Sequence, residues 1–477
     1  MNAHDSERMA EVLTGAGWEE ATALEGADLI VFNTCSVREK AEQKLLSEVG
    51  KLRPLKERNP KLLIAVAGCV AQQEGQKLLD RVEHLDIVLG PDNVPELPAL
   101  LDEVERGGVA LARTEFDLEN PKFLAASGAS ASVTAYVTTM KGCDERCSFC
   151  IVPTTRGPER YRPTEEILGE IGRLVGGGTR EVLLLGQTVD SFRDPALPPP
   201  ASDDPDESQF PELLRRIQAA NPSLARVRYT SPHPRHLTPS LVRAHAELEV
   251  LARHVHMPVQ SGSNRMLRRM IRRYTREEYL ERVRSLQHAR AHLGERITVS
   301  TDLIVGFPGE TEDDFAHTLS LVEEVGFTSL YAFKYSPRPG TPALKLGDDV
   351  SEAQKSERLT KLLALADSLG QAHLKSLVGT QATVLLEGPS KNDRRGIAGS
   401  RLFQGRTERA EIVHVPVPEH VDATGLLVPV ALTAAHKHSL EGEALDARIF
   451  TDHVSSGLGR TLRRRLPVVG LTEGESP

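Results

Sequence analysis

The chain has no apolar stretch long enough to cross a membrane. Its longest near-apolar run, Leu62 to Ala71, is about half of the roughly 20 residues a spanning helix requires. It has no surplus of positive charge either: 58 Lys and Arg against 67 Asp and Glu leave a net charge of -9. That excludes holding nucleic acid by overall charge and leaves only a local patch for the task. Met1 to Ala10 is polar and carries acids, unlike a signal or transit peptide, so a cytoplasmic location is expected. Internal repeats and the glycine fingerprint of a dinucleotide site are missing. Cysteine is scarce, with 5 in 477 residues, so a disulfide scaffold is excluded and the thiols are expected to be reduced or to bind metal. What is present is ordinary globular composition, 39% hydrophobic and 26% charged. At roughly 150 residues per domain the length predicts about three domains.

The first hundred residues alternate short apolar runs with amphipathic helical patterns. Asp28 to Phe32, Leu62 to Ala67 and Asp86 to Leu89 predict a small parallel sheet of wound α/β type over residues 1–115. No strand precedes the first predicted helix, Glu7 to Leu13, although this architecture normally starts with one. Residues 114–132 lose periodicity and read as a linker. Six strand-like runs follow, at Ala135 to Met140, Glu181 to Leu185, Val227 to Thr230, Val255 to Val259, Thr298 to Val305 and Ser329 to Tyr335. Helical patterns between them predict a partial parallel (β/α)6 barrel over 130–372, with chemistry at the C-terminal strand ends. The Pro- and acid-rich stretch 194–206 reads as a flexible surface insertion. Short β-type runs separated by turn residues predict a small antiparallel β-barrel over 376–450, and 451–477 a flexible tail.

Cys143, Cys147 and Cys150 lie directly after the first barrel run, in GCDERCSFCIVPTTRG. Three thiolates at C-x3-C-x2-C spacing can converge on one metal centre. Structural zinc would want a fourth Cys or His nearby, but the next histidine is His233 and no cysteine follows. The set suits a cubane iron-sulfur cluster with one open iron, zinc being the alternative. For Cys35 and Cys69 alone, a buried structural thiol is the plain reading.

The C-x3-C-x-aromatic-C loop, with Phe149 as the aromatic, resembles the radical S-adenosylmethionine (SAM) enzymes. The resemblance implies a 4Fe-4S cluster on Cys143, Cys147 and Cys150 whose open iron chelates SAM, and one-electron cleavage of SAM to a 5′-deoxyadenosyl radical. Within that superfamily the chain resembles the methylthiotransferases. The segments NTCSVREKAEQKLLSEVG, GCVAQQ, CSFCIVPTTRGPERYRP, LLLGQTVDSF, MPVQSGS and TDLIVGFPGET carry the likeness, and Ser-Val-Arg-Glu-Lys-Ala after Cys35 resembles the tRNA-acting MiaB subgroup.

That likeness implies a second 4Fe-4S cluster on Cys35 and Cys69 and a C-terminal RNA-binding TRAM module. It also implies SAM as methyl donor and radical source, and methylthiolation of carbon 2 of N6-isopentenyladenosine in a tRNA anticodon stem-loop. A flavodoxin or ferredoxin would supply electrons, and no membrane is involved. Relatives acting on threonylcarbamoyladenosine or a ribosomal protein, and an RNA-binding protein that has lost catalysis, are the alternatives. The family uses three cysteines for the second cluster, and here one is absent. Because Met1-Asn2-Ala3-His4-Asp5-Ser6-Glu7 resembles the continuation of the segment that carries it, Met1 is expected to be an internal methionine preceded by roughly ten or more residues that complete the first strand.

Gly186 and Gln187 are expected near the SAM amino group, and Gln260 and Ser261 near the ribose, with Gly186 and Gly262 open to a second reading as turn glycines. Arg156 is expected to meet an anionic group, or to be solvated or ion-paired. Lys391, Arg394, Arg395, Arg401 and Arg406, together with Arg409, outnumber Asp393 and Glu408 within residues 391–409 and read as an RNA phosphate contact, with a solvated loop as the alternative. A second run, Arg265, Arg268, Arg269, Arg272, Arg273 and Arg276, reads as an RNA-facing or solvated helix face.

Overall fold

The computed structural model describes residues 2–34, 39–119, 121–126, 132–391 and 399–455. The N-terminal part is a parallel four-stranded sheet in the order β1 (Leu29–Thr34), β2 (Leu63–Gly68), β3 (Ile87–Leu89), β4 (Leu111–Arg113). Every residue of β2 is buried, as expected of a parallel strand covered on both faces. Alternate side chains divide between the faces. Ile64 and Val66 pack with Leu45 and Val49, while Leu63, Ala65 and Ala67 pack with Met9, Leu97 and Leu101. β4 was not anticipated because three half-buried residues carry too little pattern to read. The described parts of the expected linker are anchored: Leu124 packs on the N-terminal core, and the Ala126 N–H donates to Glu170 at 2.5 Å.

The central part contains β5 (Thr134–Thr138), an antiparallel pair β6 (Met140–Lys141) and β7 (Arg160–Tyr161), then β8 (Glu181–Leu185) and β9 (Arg226–Tyr229). β10 (His254–His256), β11 (Thr298–Val305) and β12 (Ser329–Lys334) follow. β5, β8 and β9 form one parallel sheet and β10, β11 and β12 another, linked by a parallel bridge between Val227 and Leu251. Outward-facing Val137, Val182, Leu184, Val227, Val255, Val299 and Leu303 pack against the surrounding helices as one core. Helices Arg276–Gln287 and Glu312–Val325 start where the sequence signals it, at capping boxes Thr275/Glu278 and Thr311/Asp314. The six expected strands are all present. The 26-residue helix Glu352–Leu377, packed on β12, completes the sixth βα unit.

The stretch 194–206 is pinned at both ends rather than loose. Asp194 accepts from the Thr164 and Ala196 N–H groups at 2.7 and 2.9 Å, and Asp206 pairs with Arg235. The C-terminal strands β13 (Gln381–Pro389), β14 (Ser400–Arg406), β15 (Ile412–Pro418), β16 (Leu427–Ala435) and β17 (Leu440–Ala444) close a barrel in the order β13-β14-β15-β17-β16. The expected tail begins too early: helix Arg448–Ser455 continues the fold, with Phe450 seated in the barrel core. Residues 456–477 lie outside the described ones. No helix among the described residues is long and apolar enough to cross a membrane.

The β14–β15 turn docks against the N-terminal ends of the central strands. Arg226, Arg228 and the Arg253 N–H donate to the carbonyls of Arg406, Thr407 and Glu408 at 3.3, 2.8 and 2.9 Å. The cysteine loop lies at the opposite end.

Candidate metal centre

Residues 143–150 connect β6 to the short helix Val152–Arg156. Gly142 starts the loop with φ +78°, and a Cβ there would stand 1.9 Å from the Pro158 carbonyl oxygen, so only glycine fits. The Cys143 N–H donates to Gly157 O at 3.1 Å and the Cys150 N–H to Cys147 O at 3.1 Å. Ser148 clamps the turn: its N–H and hydroxyl donate to the carbonyls of Met270 and Arg269 at 2.9 and 2.8 Å. Phe149 packs on the cluster of Met266, Met270, Phe307 and Tyr335. The aromatic of the motif thus supports the loop from below.

The four described cysteines, Cys69, Cys143, Cys147 and Cys150, are free thiols. Burial pushes the Cys143 thiol up to about 12, against the hydrogen bond from Thr188 Oγ1 at 2.9 Å. Burial and the neighbouring Cys147 push Cys150 up to about 11. Desolvated thiols such as Cys143 and Cys150 become stable thiolates when a cationic centre joins them. Three thiols on one loop, with no His or further Cys beside them in the sequence, form a soft sulfur donor set that suits an iron-sulfur cluster.

Glu145, inside the loop, is held by His236 Nε2 at 3.4 Å and Arg235 Nη1 at 3.7 Å. Asp190, fully buried beside it, accepts the His233 N–H at 2.8 Å, and burial pushes its carboxyl up to about 7. Thr188, Glu145 and Asp190 went unread in the sequence because nothing in their spacing marks them.

The remaining expected positions are placed as follows. Gly186 and Gln187 follow the end of β8, and Thr188 carries that segment to Cys143. Neither Gly186 nor Gly262 has positive φ, and both stand where a side chain would collide. A Cβ at Gly186 would meet Met140 Cγ at 2.7 Å, and one at Gly262 the His317 carbonyl at 2.4 Å. Gln260 holds φ +75° and is bridged to β11, its N–H donating to Asp302 O and its carbonyl accepting from Ile304 N, each at 2.9 Å. The Ser261 hydroxyl is buried and faces Thr318 Oγ1 at 3.4 Å.

Cys69 starts the helix Cys69–Glu74 after Gly68, whose φ is +97°. β1 and β2 end side by side, Thr34 opposite Gly68, so the chain positions before Cys35 and Cys69 are neighbours. Cys35 itself lies outside the described residues, as do Arg394 and Arg395. Helix Cys69–Glu74 packs against Val152–Arg156. There Arg156 pairs with Asp5 at 2.6 Å, and its guanidinium lies beside the Cys69 sulfur, which realises the ion-paired reading of Arg156.

Lys391 is exposed. Arg401 shares the inward parity of β14 with Phe403, lies over its ring at 4.9 Å and donates to Val421 O. Arg406 pairs with Glu387 at 3.0 Å. In the second basic run, Arg265 pairs with Asp314 and Arg276 with Glu324, while Arg272 is buried against Cys147.

The chain matches the Radical SAM superfamily over residues 137–322 and Uncharacterized protein family UPF0004 over residues 1–90. It is 59% identical to the tRNA-2-methylthio-N(6)-dimethylallyladenosine synthase of Sorangium cellulosum, over 99% of this chain and 98% of that one. Enzymes of the same name from Bordetella petrii and Acidithiobacillus ferrooxidans are 42% and 43% identical, over 94% and 93% of this chain and 89% and 95% of theirs. The chain belongs to this synthase family. It is accordingly a radical SAM methylthiotransferase, an enzyme class that carries SAM and a 4Fe-4S cluster. A solved radical SAM methyltransferase, TsrM from Kitasatospora setae, shares the synthase's fold with a TM-score of 0.50 and 13% identity, over 84% of this chain and 78% of that one.

Proposed function

We propose that this synthase methylthiolates carbon 2 of N6-isopentenyladenosine beside the anticodon of tRNA, in the cytoplasm. The observation that carries the reading is the full-length identity of 59% to a synthase of that name, together with three thiols on one loop at the C-terminal ends of the central strands. An aromatic C–H bond resists polar acid-base chemistry, and a cluster with SAM supplies the one-electron chemistry it needs. Cys143, Cys147 and Cys150 hold that cluster, and Phe149 and Ser148 fix the loop that presents them. Gly186 and Gln187 lie toward the SAM amino group, and Gln260 and Ser261 toward the ribose.

Cys35 and Cys69 belong to a second 4Fe-4S cluster, at the seam where Arg156 ties the N-terminal sheet (1–115) to the SAM barrel (130–372). The β-barrel (376–450) is a TRAM module that meets tRNA phosphates through Lys391, Arg394, Arg395, Arg401 and Arg406. An unpaired anticodon-loop base is a suitable target because it splays out without breaking a duplex. A flavodoxin- or ferredoxin-type protein delivers the electrons. Mass spectrometry of tRNA nucleosides from a deletion strain tests the substrate: the 2-methylthio-isopentenyl nucleoside disappears, and its persistence would sink the assignment. Iron counts on reconstituted protein test the second cluster, about eight per chain for two cubanes and about four for one.

A further inference from the structure

Arg272 is 5% exposed, and each of its guanidinium nitrogens has a partner. Nε donates to the Tyr274 hydroxyl at 2.9 Å, Nη2 to Pro258 O at 2.8 Å and Nη1 to Cys147 Sγ at 3.3 Å. The Tyr274 ring lies 5.2 Å away, and its hydroxyl is fixed in turn by Val259 O at 3.0 Å. Arg265 and Arg276 of the same basic run are neutralised by carboxylates. No carboxylate pairs with Arg272 among the described residues; the one group in contact that can carry a full negative charge when metal-bound is the Cys147 sulfur. A buried cation without an anion is strongly unfavourable, so the N–H···S contact to Cys147 is the route by which the Arg272 charge meets the ligand loop. The preceding residue underlines the placement. Ile271 holds φ +56° while its side chain is 38% exposed, a strained conformation for a β-branched residue that turns Arg272 inward.

We propose that Arg272 sets the reduction potential of the cluster on Cys143, Cys147 and Cys150 through a charge-assisted N–H···S bond to Cys147. The inference rests on the cluster assignment but not on which nucleoside is modified. Reduction adds one electron from a low-potential one-electron donor, with no bond made or broken in the protein. A positive charge and a hydrogen bond at a ligand sulfur stabilise the more negative, reduced state. Arg272 thereby raises the potential and lets a physiological donor load the electron, while Tyr274 positions the fork.

The test is an anaerobic, dithionite-poised redox titration of the reconstituted full chain, followed by electron paramagnetic resonance. The signal that responds to added SAM identifies this cluster. Arg272→Gln should shift the midpoint negative by at least tenfold in the reduction equilibrium, about 59 mV for one electron. Arg272→Lys, which keeps the charge, should stay within threefold of the parent. A Gln variant with full iron and a potential within threefold of the parent overturns the proposal. If Arg272→Gln does not retain iron, Arg272→Lys decides: iron retained at the parent potential supports a charge role, and loss of iron or a tenfold shift overturns it. A parent chain lacking any SAM-responsive signal would instead remove the cluster assignment, and this inference with it.

Discussion

Arg156 and Asp5 meet 2.6 Å apart, both largely buried, across the seam between the N-terminal helix and the cysteine loop. The same guanidinium reaches the Cys69 sulfur. One side chain thus joins the end of the radical SAM loop to the start of the helix carrying the other cysteine. The pair holds the Asp5 carboxyl well below its usual range even though burial pushes the other way.

Removing one member of a buried pair leaves the other uncompensated, typically at about 3–5 kcal/mol. Arg156→Leu should destabilise the N-terminal part by that amount, and Asp5→Leu in the same chain should restore much of it. Trp18, the single tryptophan, packs on the N-terminal core and reports its unfolding in denaturant. Equal losses in the single and double variants would contradict the coupling.

Gly142→Ala and Gly68→Ala should separate the two cysteine sites. The new Cβ would fall 1.9 Å from Pro158 O in one and 2.4 Å from Thr34 O in the other, both at positive φ. Gly142→Ala should abolish SAM cleavage and reduce iron by about four per chain. Gly68→Ala should preserve SAM cleavage and remove methylthiolation. The reverse pattern in the two assays would rule out the assignment of the loops.

Acidification should destabilise the fold through His245 and His254. Burial, with Arg253 and Arg290 around His245 and with Arg228 and His256 around His254, pushes each imidazole down to about 3. Between the ordinary histidine value of about 6.5 and about 3 the unfolded chain binds a proton that the native state refuses, so stability falls as pH drops through this window. By pH 5 the loss is about 2 kcal/mol per histidine. Urea unfolding at pH 7.5 and pH 5 measures it, and His245→Gln should remove about 2 kcal/mol of the dependence. Identical pH slopes with and without His245 would exclude its part.

Glu181 anchors Arg226 and Arg228, each at 3.1 Å, which in turn hold the β14–β15 turn. Glu181→Ala leaves two buried cations without their anion and should weaken docking of the C-terminal barrel by about 3–5 kcal/mol. Faster proteolytic cleavage between residues 377 and 381 reads this out. An unchanged cleavage rate would show that the backbone contacts suffice.

Legibility in the sequence followed the range of the interactions. Leu62 to Ala67 reads as a strand because every side chain in it is apolar, and Thr275 and Thr311 mark helix starts because their partners lie three residues away. Strand β4 was not read because it is three residues long. The basic runs misled in part. Arg265, Arg272 and Arg276 look alike in the sequence, yet two find carboxylates about 50 residues away and the third finds a cysteine sulfur 125 residues away.

The sequence by itself determined the local facts. These are the strand and helix segments, the C-x3-C-x2-C spacing that brings three thiols onto one loop, and the glycines before Cys69 and Cys143. Each depends on neighbours within one turn or one strand, where order along the chain and proximity in space coincide. Only the tertiary structure decided which charges are solvated and which are internal. It brought Arg156 to Asp5 and Cys69, set Arg272 against Cys147, and placed the Arg406 turn at the opposite end of the central strands from the cysteine loop. A long, flexible guanidinium carries no local signal of its partner, and burial alone makes that partner obligatory.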